Sequence, residues 1–329
     1  MTVLFCSRVL PPLNRVVVSL LRQAEVFLTL EVSVKKLSMK TKAVALAVIA
    51  VAVIVGIIVM ARLPALKVAT TSSLYDTGLW EYLAPMFEEK YGMKLHILYA
   101  GTGIALEYGK RGDVAAVVIH DRARELQFVA DGYGVERVPF AYNHFLIVGP
   151  PDDPAGIKGL TPEDAFRKLM KEGSDDPDRI RFVSRGDDSG THAKEKDIWR
   201  AAGFAYATVQ ESSWAQDGEG YAEVGSGMGP TLLKANELNA YTLTDSGTFL
   251  AYKGDLALEP VVETGAMLLN VYSVIAINPQ KHPGPDLEMA SNLVAFLISP
   301  EIQELIGSYG VEQYGVPLFI PCAGTEPEE

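Results

Sequence analysis

From Leu66 onward, short apolar runs alternate with amphipathic stretches, and this alternation constrains the chain more than any single motif. LKVAT, KLHILYA, VAAVVI, FLIV, RIRFVS, AYTLT and NVYSVIAIN read as strands. Residues 78–91, 104–110, 122–130, 191–202, 229–239, 286–298 and 300–308 carry helical periodicity. A further helix opens at Thr161, with Thr as the cap and Pro162 at the first position. Strands alternating with helices predict an α/β fold with mostly parallel sheets. The turn-rich stretch from Gly149 to Pro154 suits a boundary, and residues 259–276 suit a return crossing. The expected organisation is one lobe from 66–149 plus 269–329 and an inserted lobe from 150–268.

The segment before Leu66 differs in kind. It holds eight Lys/Arg and two acids, which leaves 21 basic against 39 acidic residues in the body, a net of −18. Residues 43–60, AVALAVIAVAVIVGIIVM, contain no charge. At about 1.5 Å per residue this run spans about 27 Å, close to a bilayer's hydrocarbon core. Lys35, Lys36, Lys40 and Lys42 precede it, which keeps the N-terminus inside and sends the body out. Residues 39–65 are therefore expected to be a transmembrane anchor, with a cleaved signal sequence as the rival reading. Met39 offers an alternative start, and residues 1–38 are set aside as a possible extension outside the fold. An acidic body argues against nucleic acid as a partner, because phosphate contacts need a basic surface. Two cysteines, Cys6 and Cys322, are too few for a disulfide framework.

Three polar turns lie between an expected strand and an expected helix. They are Ala69-Thr70-Thr71-Ser72-Ser73, Ala100-Gly101-Thr102-Gly103, and Ser184-Arg185-Gly186-Asp187-Asp188-Ser189-Gly190-Thr191. Ligands in open α/β sheets bind at the carboxyl ends of strands, where such turns lie. Helix N-termini there offer free N–H groups and roughly half a positive charge. Hydroxyls add donors without adding charge. Together the turns describe a donor-rich cage for a small anion, although each taken singly reads as helix capping or a tight turn, and Arg185 alone reads as an interlobe salt bridge. A fourth turn, Gly225-Ser226-Gly227-Met228-Gly229, lacks the spacing of a dinucleotide fingerprint.

The blocks SRGDDSGTH (184–192), GTGIALEYGKRGDVAAVVIH (101–120), YNHFLIVGPPDDPAGI (142–157) and AYTLTDSGTFL (240–250) resemble the tungstate-binding proteins of ABC importers. The resemblance covers about 66–321 and implies a two-lobed periplasmic-binding-protein type II fold. It places anion contacts on Thr71, Ser72 and Ser73, on Thr102 and Gly103, and on Arg185, Ser189 and Thr191. The family's TTTS segment reads Thr70-Thr71-Ser72-Ser73 here, so its third Thr is Ser72, which keeps a hydroxyl. The implied protein is an extracytoplasmic, monomeric solute-binding protein, membrane-tethered or secreted, that hands tungstate to an importer permease without a cofactor.

Molybdate, sulfate and phosphate are the alternatives within this class. Phosphate retains a proton near neutral pH and wants an acceptor, a part open to Asp187 or Asp188. The alternative from another class is an α/β enzyme holding an anionic substrate on Arg185. Ser189 and His192 do not form an obvious nucleophile–base pair, and no G-x-S-x-G elbow is present. The five histidines lack metal spacing, His120-Asp121 reads as a strand end followed by a helix cap, and Trp80, Trp199 and Trp214 read as core or lobe-surface residues. An acidic body does not forbid anion capture, because repulsion fades beyond about 10 Å at 0.1 M salt and short-range donors decide the outcome.

Overall fold

Strand β1 (Ala65–Thr71) alternates exposed and buried residues before becoming wholly buried at Val68-Ala69-Thr70-Thr71. In the structure, a computed structural model that describes residues 48–50, 65–216, 220–283 and 287–327, it opens a long α/β succession. Next come α1 (Ser72–Asp76), α2 (Leu79–Tyr91), β2 (Lys94–Ala100), α3 (Thr102–Arg111), β3 (Ala116–Ile119), α4 (Arg122–Ala130) and β4 (Gly134–Gly149). The middle of the chain supplies α5 (Pro162–Asp175), β5 (Phe182–Ser184), α6 (Gly190–Ala201), α7 (Tyr206–Gln210), β6 (Tyr221–Glu223), α8 (Met228–Glu237), β7 (Thr242–Asp245), α9 (Ser246–Tyr252) and β8 (Glu259–Val262). The return is made by β9 (Leu269–Ile277), α10 (Leu287–Leu297), α11 (Pro300–Ser308), α12 (Val311–Tyr314) and β10 (Ile320–Pro321).

The chain forms two units. One holds Glu81–Leu95 with the segment up to Ala65. Its described part is chiefly the body of α2, which contains Pro85, and Glu88 accepts a hydrogen bond from the Leu95 N–H at 3.3 Å. The other unit, Leu66–Trp80 with His96–Glu329, carries every residue expected at the site. Among the described residues no helix is long and apolar enough to cross a membrane. Residues 48–50 are helical, and the rest of the 43–60 run lies outside the described residues.

The sheet is mixed, which corrects the expectation of mostly parallel strands. β1 pairs with β3 in parallel and β5 with β6 in parallel, but β3·β9, β4·β9, β4·β7, β4·β8 and β4·β10 are all antiparallel. The cause is β4, a 16-residue strand where a short FLIV strand was expected. Its first part pairs with β9, from Gly134↔Ile277 to His144↔Leu269. From Phe145 it takes new partners, Phe145↔Asp245 through Val148↔Thr242 in β7, and β8 alongside. A strand that leaves one group of helices and enters another must be met by a returning strand, and β9 returns antiparallel to it.

Each side of the crossing has its own core. Ala69, Leu106, Val117, Ile119, Phe128 and Ile275 pack together on one side. On the other, Phe166, Phe182, Trp199, Trp214 and Tyr221 pack with Phe145 and Ile147 of β4. The Trp199 and Phe166 rings lie 4.4 Å apart, and the Trp214 Nε1–H donates to the Ile180 carbonyl at 2.7 Å. Trp80, Trp199 and Trp214 are all buried. Thr161 caps α5 through the Asp164 N–H at 3.3 Å, with Pro162 in its first turn.

Gly149, where β4 ends, lies against the buried Tyr241 ring. A Cβ there would sit 2.3 Å from Tyr241 Cδ1. The ring cannot retreat easily, since its hydroxyl donates to Asp153 at 2.7 Å and accepts from the Ala155 N–H at 2.9 Å. Gly149→Ala should destabilise the fold by about 1–3 kcal/mol, the range for overpacking. Urea unfolding should show a lower midpoint with an unchanged slope.

Candidate functional site

All the expected turns lie at helix starts, but they are capped differently. β1 runs into α1 without a loop, because Thr71 accepts the Leu74 N–H at 3.3 Å. The segment expected to be a turn is therefore partly a helix. Ser189 caps α6 by accepting the His192 N–H at 3.2 Å. Gly101 and Gly227, the caps of α3 and α8, provide no side-chain oxygen. The first N–H groups of those two helices thus lack both an intrahelical partner and a side-chain cap.

The turns face one another. Arg185 is 2% exposed, and its Nη2 donates to Ser72 Oγ at 3.3 Å and to the Asp187 carboxylate. At Gly190 a Cβ would lie 2.9 Å from Cε1 of the His120 ring, so the α6 start approaches β3 more closely than any side chain permits. An open cleft of about 540 Å³ lies at the rim, lined by Gly101, Gly103, Ile104, Asp187 and Asp188 among others. From the same turns, Thr71, Ser73, Thr102, Arg185, Ser189 and Thr191 are buried.

Among the described residues, eight buried side-chain nitrogen or oxygen atoms make no hydrogen bond within the protein. Four belong to three of the expected site residues: Nε and Nη1 of Arg185, Oγ1 of Thr102 and Oγ1 of Thr191. A buried polar group without a partner costs about 1–3 kcal/mol. All four atoms can donate, which suits an anion with several acceptor oxygens.

The nearby carboxylates are committed elsewhere. Asp187 takes Arg185 Nη2 on one oxygen and the Ser189 N–H on the other, at 3.2 Å for the latter. Asp188 is 68% exposed and faces Arg124, 3.0 Å away. Asp187 offsets the Arg185 charge. The site offers directed donors more than net charge.

Other expected residues play less direct parts. Gly103 faces the rim, beside Asp188 and Arg124. Thr71 chiefly caps α1, and its hydroxyl lies 3.3 Å from Ser73 Oγ. Ser73 also meets His120 Nε2 at 3.0 Å, and His120 Nδ1 meets Asn270 Oδ1 at 2.9 Å. Asn270 Nδ2 donates to Asn143 and Tyr272, which leaves Oδ1 as acceptor for an Nδ1–H and Nε2 as acceptor for Ser73. Burial pushes the His120 imidazole down to about 4, so the ring is neutral near pH 7. The expectation for the 120–121 pair gave His120 only a strand end, whereas its ring also meets Ser73 of the first turn. Its position at the carboxyl end of β3, the same end as the other turns, was the available signal. Asp121 does cap α4, accepting the Arg124 N–H at 3.1 Å.

Beneath Arg185 lies a second buried network. Glu195 accepts from Ser184 Oγ at 2.6 Å, Tyr221 OH at 2.6 Å and Trp199 Nε1 at 3.1 Å. Burial pushes its carboxyl up to about 7. The unfolded value is about 4.3, so the folded chain holds an extra proton between the two. This favours folding most below the unfolded value and is lost as pH rises through the folded value. Glu195→Gln mimics the protonated form. Its stability relative to wild type should therefore rise between about pH 4.3 and pH 7, read by urea unfolding at both ends.

Two groups of helices joined by crossing strands, with facing polar turns that carry buried, unpartnered donors, define a two-lobed solute-binding protein. Residues 60–301 match the family model for the PBP superfamily domain. The tungstate-binding protein TupA of Peptoclostridium acidaminophilum is 41% identical over 255 residues, covering 78% of this chain and 85% of that protein. A solved structure described as the tungstate ABC transporter from Geobacter sulfurreducens is 42% identical, with a TM-score of 0.64, covering 74% of this chain and 98% of its own. The tungstate-binding protein TupA from Desulfovibrio alaskensis G20 is 36% identical with a TM-score of 0.66, covering 79% of this chain and 99% of its own. The chain belongs to the PBP superfamily and, within it, to the family of the TupA proteins.

Proposed function

We propose that this chain is the extracytoplasmic solute-binding component of an ABC importer and that it captures tungstate between its lobes, 66–149 plus 269–329 and 150–268. The observation that carries the reading is the group of four unpartnered donors on Arg185, Thr102 and Thr191. Ser72, Ser73, Gly103 and Ser189 complete the proposed cage, with the open N–H groups of α3 above it. Tungstate carries no proton near neutral pH and needs donors only. A bound phosphate wants an acceptor, and both oxygens of Asp187 are engaged while Asp188 turns to Arg124. Molybdate and sulfate share tungstate's charge and shape. Residues 43–60 would tether the body to the outer face of the membrane, which protease added to intact cells would test by cleaving the body.

One observation favours a second reading. Ser73, His120 and Asn270 stand in hydroxyl–imidazole–amide order. That order resembles a nucleophile relay. A ring held near 4 is a weak base at neutral pH, however, and Ser73 is 1% exposed. Turnover of an activated ester, abolished by Ser73→Ala, would support the enzyme reading.

Calorimetric titration of tungstate tests the binding reading. Arg185→Ala should cost about 2–5 kcal/mol of binding, the scale for truncating one partner of a buried charged contact. Arg185→Lys should restore only part, since lysine lacks the planar fork. Thr102→Val and Thr191→Val should each cost about 0.5–3 kcal/mol. If Arg185→Ala lowered stability alone and left affinity within about twofold, Arg185 would be an interlobe salt bridge and the contact claim would fall.

A further inference from the structure

Arg124 belongs to none of the turns, yet it makes three hydrogen bonds to the Arg185 segment. It lies in the first turn of α4, directly after Asp121. One Asp121 oxygen caps the helix at the Arg124 N–H, and the other accepts from Arg124 Nε at 2.6 Å. The aspartate therefore presets the guanidinium and leaves Nη1 and Nη2 for the opposite side. Nη1 donates to Asp188 Oδ2 at 3.0 Å. Nη2 donates to two main-chain carbonyls, Asp188 O at 3.0 Å and Ser189 O at 3.2 Å. α4 lies between β3 and β4, whereas residues 188–189 lie between β5 and α6. The contact therefore joins the two sides of the crossing strands.

We infer that Arg124 is a positioning residue for anion capture: it latches the two lobes together and holds the helix start that carries Ser189 and Thr191. The inference rests on the binding reading above for its ligand but not for its geometry.

Three further features support it. Asp188 has φ of 56°, a left-handed conformation that few non-glycine residues adopt, aspartate and asparagine most often among them. Arg124 holds its carbonyl and carboxylate, and its N–H donates to His192 Nδ1 at 3.1 Å. Next, Gly103 leaves room for the approach: a Cβ there would sit 2.8 Å from Asp188 Oδ2 and 3.6 Å from Arg124 Nη1. Finally, Lys196 Nζ stands 3.9 Å from the other Asp188 oxygen, on the same side of the crossing as Asp188. When the lobes part, Asp121 still pairs with Arg124 and Lys196 with Asp188, so opening strands no charge. That suits a latch that releases as well as holds.

The contact is partly exposed, with Arg124 at 27%, so its effect is moderate and sensitive to salt. Arg124→Ala should speed tungstate release about 3- to 30-fold, the range for a few partly exposed hydrogen bonds. The dissociation constant should weaken by a similar factor, with little change in association rate. Arg124→Lys should recover part of the loss, and Asp188→Asn should cost less than Arg124→Ala because both carbonyl contacts remain. The wild-type advantage should shrink in 1 M salt. Stopped-flow release and calorimetry read these quantities on the whole chain. Small-angle scattering reads closure without any ligand, and Arg124→Ala should be the more extended protein. Equal release rates with equal scattering profiles for wild type and Arg124→Ala would overturn the latch. A wild type that ignores tungstate would overturn the functional reading instead, and scattering would still judge the latch.

Discussion

A guanidinium buried to 2% exposure with only one of its three nitrogens paired is an expensive feature in a folded chain. Its neighbourhood is organised around it. Asp187 and Ser72 hold Nη2, which fixes the plane of the group and directs Nε and Nη1 to whatever shares the space. Below, Ser184 is anchored by Glu195, so the residue that begins the turn cannot drift. Removing Glu195 from that network would free the base of the turn, and its carboxyl, pushed up by burial, ties the same base to pH.

The larger frame exists to bring that group to its counterparts. β4 and β9 are the two long strands, and β4 exchanges β9 for β7 and β8 at Phe145. Strands whose ends belong to different cores allow each core to stay close-packed while the angle between them changes, as hinged binding proteins require. The polar residues buried along these strands follow from this. Asn143 and Asn270 bond to each other at 2.8 Å where β4 and β9 run side by side, next to His120 and hence Ser73. An amide pair at that point connects the crossing, through His120, to Ser73 of the first turn.

Much of this was readable in the sequence, for physical reasons that differ by element. Helices with strong caps or clear breaks were legible: residues 122–130 and the α5 start at Thr161-Pro162 fall where expected. β4 was not, because Pro139, Asn143 and His144 interrupt the apolar pattern, and the Asn143 amide is satisfied by a strand that the sequence cannot reveal. The small elements α7, β6, α9 and β8 were also missed, being too short for periodicity to register. Of the site, Arg185, Thr102 and Thr191 were legible as polar residues at strand-to-helix turns. His120 and Arg124 were not, since a lone histidine or a first-turn arginine takes its meaning only from partners far along the chain. The Arg185–Asp187 pair is legible only in the folded turn, although the two lie two residues apart in the sequence.

The proposed capture of a single anion depends on the four unpartnered donors of Arg185, Thr102 and Thr191. Tungsten scatters anomalously at its absorption edge, so crystals grown with tungstate would locate it without reference to any assumed site. A single strong peak is predicted, with its oxygens within about 2.7–3.2 Å of Arg185 Nε or Nη1, Thr102 Oγ1 and Thr191 Oγ1. A well-occupied peak anywhere else in the protein, or none at saturating tungstate, would contradict it.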